Sequence, residues 1–271
     1  MNYINRINKS FNKMQERHKN RKKYFNELAE TCRKYFLPYI ERWHIVEPAT
    51  NVLEIGCGEG GNLLPFSELG CNVVGVDIAS CRIKEAKSFF EDNGATGQFI
   101  AEDIFKLRDM ERKFDIIICH DVFEHIDDKR HFLLNIKKYL SDNGIVFMSF
   151  PAWQMPFGGH QQICRSRVLS HLPFVHLLPC GLYKLLINAF GEDSGCMNEL
   201  VSIRNTRITI ERFERLSQFA ELKINDRLLW LVNPHYEVKF GLKPYKMPQS
   251  LAHFPYIRDF FSTSCFYILS K

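Results

Sequence analysis

A chain of 271 residues, 45% hydrophobic and 25% charged, can bury a sizeable core as one domain or as one domain with an insertion. That composition excludes a disordered chain, a collagen-like fibre and a disulfide mini-scaffold, and no apolar run of about 18 residues marks a transmembrane helix. The net charge of +5 is uneven: residues 1–48 hold 11 Lys+Arg against 5 Asp+Glu (+6), and the remaining 25 against 26 leave −1. Such an N-terminal excess suits either an arm for nucleic acid, anionic lipid or an acidic substrate, or a solvated helix face. The first twenty residues are polar and basic, unlike a secretory signal. Nine cysteines, an odd number with no CxxC pair, predict free thiols in a reducing cytoplasm.

From about Arg17 to Trp43, apolar residues recur at three-to-four spacing, predicting an amphipathic helix broken near Pro38. Asn51–Ile55 reads as a strand running into a glycine-rich turn (Gly56-Cys57-Gly58-Glu59-Gly60-Gly61) and a helix to about Leu69. Cys71–Asp77 is the second strand, and Ser80 is placed to cap the helix after it. Phe99–Ala101, the largely apolar Phe114–Cys119 and Ile145–Phe150 complete five strands, with a helix from about Lys129 to Leu140 and a turn at Asn143-Gly144. Alternation of this kind predicts a doubly wound parallel sheet. After Pro151 periodicity weakens, and residues 151–207 read as a helical insertion or lid, with Gly158-Gly159 as its hinge. A helix (Thr209–Phe219) and two strands (Leu222–Val232 and Ser264–Ser270) close the chain.

Gly56, Gly58 and Gly61 match GxGxxG, and Asp77 follows about 20 positions later at a strand end, where a carboxylate can bind ribose hydroxyls. NAD binding is the rival reading of that pattern. Further stretches extend it: Val52–Gly60 as a first motif, Val76-Asp77-Ile78, Glu102-Asp103-Ile104, Phe114–Ile126, and the turn Leu140–Ile145. On these the chain resembles the class I S-adenosylmethionine-dependent methyltransferases. The resemblance implies an α/β, Rossmann-like, doubly wound seven-stranded sheet with a reversed last strand. An N-terminal helical segment (1–48) precedes the cofactor core (49–150). The insertion (151–207) lies over the acceptor site, and residues 208–271 complete the sheet. It implies S-adenosylmethionine as cofactor and S-adenosylhomocysteine as product. It places Gly56, Cys57, Gly58 and Gly60 against methionine and ribose, with Glu54 near the ammonium. Asp77 would bind the ribose and Ile78 the adenine face. Asp103 would accept from the adenine amino group, flanked by Ile104, and the segment Cys119 to Asp121, including His120, would line the methionine end. An acid two residues before the first glycine suits a cationic ammonium better than a pyrophosphate, which disfavours an NAD-dependent oxidoreductase.

Methyl transfer from a sulfonium is an in-line displacement that needs alignment and, for a hydroxyl acceptor, a base. His160, just beyond the fifth strand, is the candidate base, taken as an imidazole of ordinary basicity. Asp121, Glu124 and His125 follow the fourth strand as DxxEH. This is similar to the ExxEH of ubiquinone-biosynthesis and small-RNA 2′-O-methyltransferases, which hold a divalent ion, with His160 able to complete the set. The reading preferred here assigns no metal and gives Glu124 and His125 a helix-start packing role. The expected function is methylation, mildly favouring oxygen, of a small-molecule acceptor. RNA- or lipid-linked acceptors are the alternative.

Overall fold

The computed structural model describes residues 20–107, 110 and 112–271. The part of the basic arm before residue 20 lies outside them. Among the described residues, eight strands form one sheet in the order β3-β2-β1-β4-β5-β8-β6-β7. They are β1 (Asn51–Ile55), β2 (Asn72–Asp77), β3 (Gln98–Ala101), β4 (Phe114–His120), β5 (Leu140–Phe150), β6 (Lys223–Val232), β7 (Tyr245–Lys246) and β8 (Ser264–Ser270). β1 runs parallel to β2 and β4, and β2 parallel to β3. β8 runs antiparallel to β6, the reversal expected of the last strand. The expected seven strands become eight because the two-residue β7 adds an antiparallel edge to β6. A pair that short carries no periodicity to read.

The chain divides into two compact units. Unit one holds the described residues up to Cys119, with residues 138–147 and 234–244. Its helix α1 (Arg21–Thr31) passes into a π turn, Cys32–Phe36, and a last α turn, Leu37–Ile40. The break expected at Pro38 does not occur. Leu37 N–H reaches Cys32 O, an i→i−5 bond that widens the helix just before the proline, which sits in the first turn of the next segment. Phe25, Phe36 and Ile40 are buried, and the Phe36 ring meets Phe147 at 5.1 Å. The Asn143-Gly144 turn is instead part of extended β5. A Cβ on Gly144 would stand 2.8 Å from Phe114 O, so glycine is needed there for close strand approach.

Unit two comprises residues 120–137, 148–233 and 245–271. It contains α4 (Lys129–Tyr139, up to Lys137), α5 (Arg167–His171), α6 (Cys180–Ala189), α7 (Ser194–Thr206) and α8 (Ile210–Phe219), these being numbered after α2 (Leu64–Glu68) and α3 (Ser80–Asp92) of unit one. Thr209 caps α8 by accepting Arg212 N–H. The insertion has a small core of its own, Cys164, Leu169, Val175, Tyr183, Ile187 and Leu200. A Cβ on Gly159 would strike His176 and one on Gly158 the Trp153 carbonyl, so these glycines permit tight packing where a hinge was expected. No helix among the described residues is long and apolar enough to cross a membrane.

Candidate functional site

In unit one, β1 delivers Glu54 and then turns sharply. Gly56, Gly58 and Gly60 all adopt the left-handed region, at φ of 72°, 52° and 83°. A Cβ on Gly60 would lie 2.9 Å from the Phe99 ring, so both backbone angle and space demand glycine. Cys57 is buried between them. Asp77, at the end of β2, is nearly buried and uses both oxygens on backbone: Oδ2 accepts Gly58 N–H at 2.9 Å and Oδ1 accepts Ala79 N–H at 2.8 Å. It therefore latches the glycine loop and the residue before α3, while Ser80, expected to cap that helix, is its first residue and makes no capping bond. Each oxygen keeps a second lone pair for a ribose hydroxyl.

Glu54 is 1% exposed. Its Oε1 accepts from Asn62 Nδ2 at 2.7 Å, and its Oε2 is buried without a hydrogen-bond partner. Burial, against the Asn62 bond and with help from nearby Asp77, pushes its pKa up to about 8. A buried acid with an unpaired oxygen is set to receive a cation. Asn62 had no signal in the sequence, since it lies eight residues on, in a 3-10 turn. Ile78 is 77% exposed and so available to an aromatic ring, while Ile104 is buried. Asp103 Oδ1 accepts Phe105 N–H at 3.0 Å and so caps a local turn.

In unit two, Asp121 takes the left-handed region at φ 52°, an uncommon conformation that Asp tolerates better than most residues, and donates its N–H to Ser149 O at 2.9 Å. His120 Nδ1 pairs with Ser149 Oγ at 2.7 Å, and its Nε2 lies 3.5 Å from Asp121 Oδ2. Ser149 thus fixes both residues, a part that sequence reasoning missed.

Glu124, His125 and His160 come together, their ligand atoms all within 4.8 Å of one another. Asp121 is not in that set. Both Glu124 oxygens are buried without a hydrogen-bond partner, and His125 Nε2 lies 3.9 Å from Oε1. Burial first, then Asp121, pushes the Glu124 carboxyl well above the usual carboxylate range. The His125 and His160 rings meet edge to face at 5.3 Å. His160 is at φ 56°. Burial, then His125 and His176, lowers its pKa to about 4, which corrects the expectation of ordinary basicity. The imidazole is neutral at physiological pH and accepts hydrogen bonds or a cation, but as a base it is weak.

Residues 10–173, more than half of the chain, match the family model described as a methyltransferase domain. The ubiquinone biosynthesis O-methyltransferase of Rickettsia conorii is 31% identical over 98 residues, covering 36% of this chain and 34% of that protein. The Bartonella quintana protein of the same name is 34% identical over 119 residues, covering 42% and 48%. The chain thus spans less than half the length of these curated relatives. Among solved structures, a S-adenosylmethionine-dependent methyltransferase from Clostridium acetobutylicum superposes with a TM-score of 0.53 at 14% identity, covering 91% of both chains. The plantazolicin methyltransferase BpumL, in complex with SAH, gives 0.53 at 13% identity, covering 96% of this chain and 90% of that one. The chain therefore belongs to the methyltransferase-domain family, and its fold is that of the S-adenosylmethionine-dependent enzymes.

Proposed function

We propose that this methyltransferase moves a methyl group from S-adenosylmethionine to a hydroxyl of a small-molecule acceptor, with S-adenosylhomocysteine as product. The observation that carries the donor assignment is the unpaired, buried Glu54 oxygen beside a glycine loop latched by Asp77. The donor supplies an already activated methyl on a sulfonium, so the chain's own work is binding and orientation. Glu54 faces the ammonium, Asp77 the ribose, Ile78 and Ile104 the adenine, and Asp103 the adenine amino group. His120 and Asp121 are assigned to the methionine end.

Oxygen is favoured by the names of the curated relatives and by the Glu124–His125–His160 cluster, which can hold a hydroxyl proton. His160 Nε2 or Nδ1 accepts that proton's hydrogen bond, with the Glu124 carboxyl and the His125 ring close beside it. A second reading adds a divalent cation held by Glu124, His125 and His160. The unpaired Glu124 carboxylate favours it, and two imidazoles with a carboxylate suit such an ion. When bound, the ion would lower the pKa of an acceptor hydroxyl, which compensates for a weak base. Calorimetry with S-adenosylmethionine, S-adenosylhomocysteine and NADH tests the donor. Turnover of a phenol and catechol panel, with chelator and with added Mg²⁺ or Mn²⁺, tests the acceptor. Binding of NADH with no response to the first two ligands would overturn the reading.

A further inference from the structure

We propose that the insertion of unit two carries a thiolate site for a zinc-like divalent cation, formed by Cys164, Cys196 and Glu192. It shares no residue with the Glu124–His125–His160 cluster, although Cys164 follows His160 by four positions, and it does not depend on the assigned activity. The three ligand atoms lie within 4.8 Å of one another, and the two sulfurs are 3.9 Å apart. Two thiolates on one tetrahedral zinc, each at about 2.3 Å, stand about 3.8 Å apart. The pair already has that separation. Two thiols and a carboxylate make a donor set suited to a borderline-soft cation, with the fourth position left to solvent.

The surroundings hold these donors in place. Glu192 is buried, and its two oxygens accept Arg165 N–H at 3.0 Å and Ser166 N–H at 2.8 Å, the two amides that follow Cys164. Each oxygen keeps a lone pair for an ion. Arg165 pairs with Asp193 at 2.7 Å, and Asp193 caps α7 by accepting Cys196 N–H at 2.9 Å. Three interactions thus join residues 165–166 to 192–193, and the Asp193 cap fixes Cys196, which leaves both sulfurs and the carboxylate converging. Cys164 is buried in the insertion core while Cys196 is half-buried, which gives the ion a way in. The short stretch from Cys164 back to His160 is a 3-10 turn, so an ion here would anchor the segment that carries His160.

The full chain, reduced and stripped with a chelator, is titrated with Co²⁺ and followed in the near ultraviolet and visible. The expected result is a thiolate-to-cobalt charge-transfer band saturating at one equivalent and displaced by Zn²⁺. The Glu124–His125–His160 cluster holds no sulfur and cannot give that band. Cys196→Ser and Cys164→Ser should each lose it while keeping the wild-type circular dichroism, and Glu192→Gln should weaken cobalt binding at least tenfold. Cys81→Ser, at an exposed thiol elsewhere, should keep it. Cys196→Ser, at the half-buried position, is the decisive variant if Cys164→Ser fails to fold. Absence of the band, its persistence in Cys196→Ser, or a Cys164–Cys196 disulfide found by mass spectrometry in protein purified with zinc would each overturn the proposal.

Discussion

Replacing Asp77 with alanine removes two hydrogen bonds from a carboxylate to backbone amides, those of Gly58 and Ala79. Bonds to charged groups contribute about 1.5–3 kcal/mol each. Taking the lower end, because the vacated amides recover some solvation, the loss is about 3 kcal/mol. For a chain of this size that lowers Tm by about 6–12 °C. A strand-end acid read from sequence alone carries no such stability cost, and the difference lies entirely in its latch on the glycine loop. Asp77→Asn keeps one acceptor oxygen and should lose about half as much. The ribose role is separated by a second measurement. Wild type should prefer S-adenosylhomocysteine over an analogue lacking both ribose hydroxyls by about 10- to 100-fold. In Asp77→Ala that preference should vanish, whatever happens to overall affinity. Scanning calorimetry and isothermal titration supply the two readouts. An alanine variant with wild-type Tm would refute the latch, and one that still discriminates the analogue would refute the ribose contact.

Glu54 is held up to about 8 from an ordinary 4.5, so it enters the folded state protonated and its contribution to stability is complete below about pH 4.5. That contribution falls as pH rises through this interval and levels off above about pH 8; Glu54→Gln should flatten the decline in Tm between pH 5 and 9. Binding a cationic ammonium beside it at pH 7 should release close to one proton, seen as a buffer-dependent calorimetric heat that Glu54→Gln abolishes. Gly60→Ala, which sets a Cβ against Phe99 at positive φ, should cost about 2–4 kcal/mol, whereas Gly94→Ala, at positive φ in open space, should cost about 1 kcal/mol, both by urea unfolding. His160→Ala and Glu124→Gln should each lower turnover by about 10²–10⁴ with S-adenosylmethionine affinity nearly unchanged, and equal loss of both would place these residues in cofactor binding instead.

The strands were legible because β4 carries the apolar run Ile116–Cys119 and because β1 runs into glycines that tolerate φ few other residues take cheaply. Local chemistry that depends on neighbours in space was not. Ser80 looks like a helix cap by position, yet the N-cap is Ala79, which has no side chain to cap with and gives its N–H to Asp77. Pro38 looks like a break because a π turn has no signature in residue types. Gly158-Gly159 looks like a hinge because sequence does not show the Trp153 carbonyl and His176 pressed against it. Glu124-His125 and His160 stand 35 residues apart, so their convergence is a property of the folded unit, as is the burial that takes His160 down to about 4. The donor loop was readable because its chemistry is contiguous; the acceptor end was not because its chemistry is assembled.

The tightness of α1 against the glycine loop has a practical consequence. A Cβ on Gly61 would stand 2.5 Å from the Phe25 carbonyl, and Arg21 reaches Glu59, inside the loop, at 3.0 Å. Helix and loop are therefore one piece of machinery despite the 25 or so residues between them. A shortened protein that begins at β1, where the donor motifs begin, would keep every residue assigned to the donor and still lose the surface on which they are moulded. Its Gly61 would lose the Phe25 and Leu28 contacts that press on it, and its loop would be free to choose among shapes. Laboratory truncation and natural exchange of leading segments between relatives face the same restriction: the helix must travel with the loop it casts.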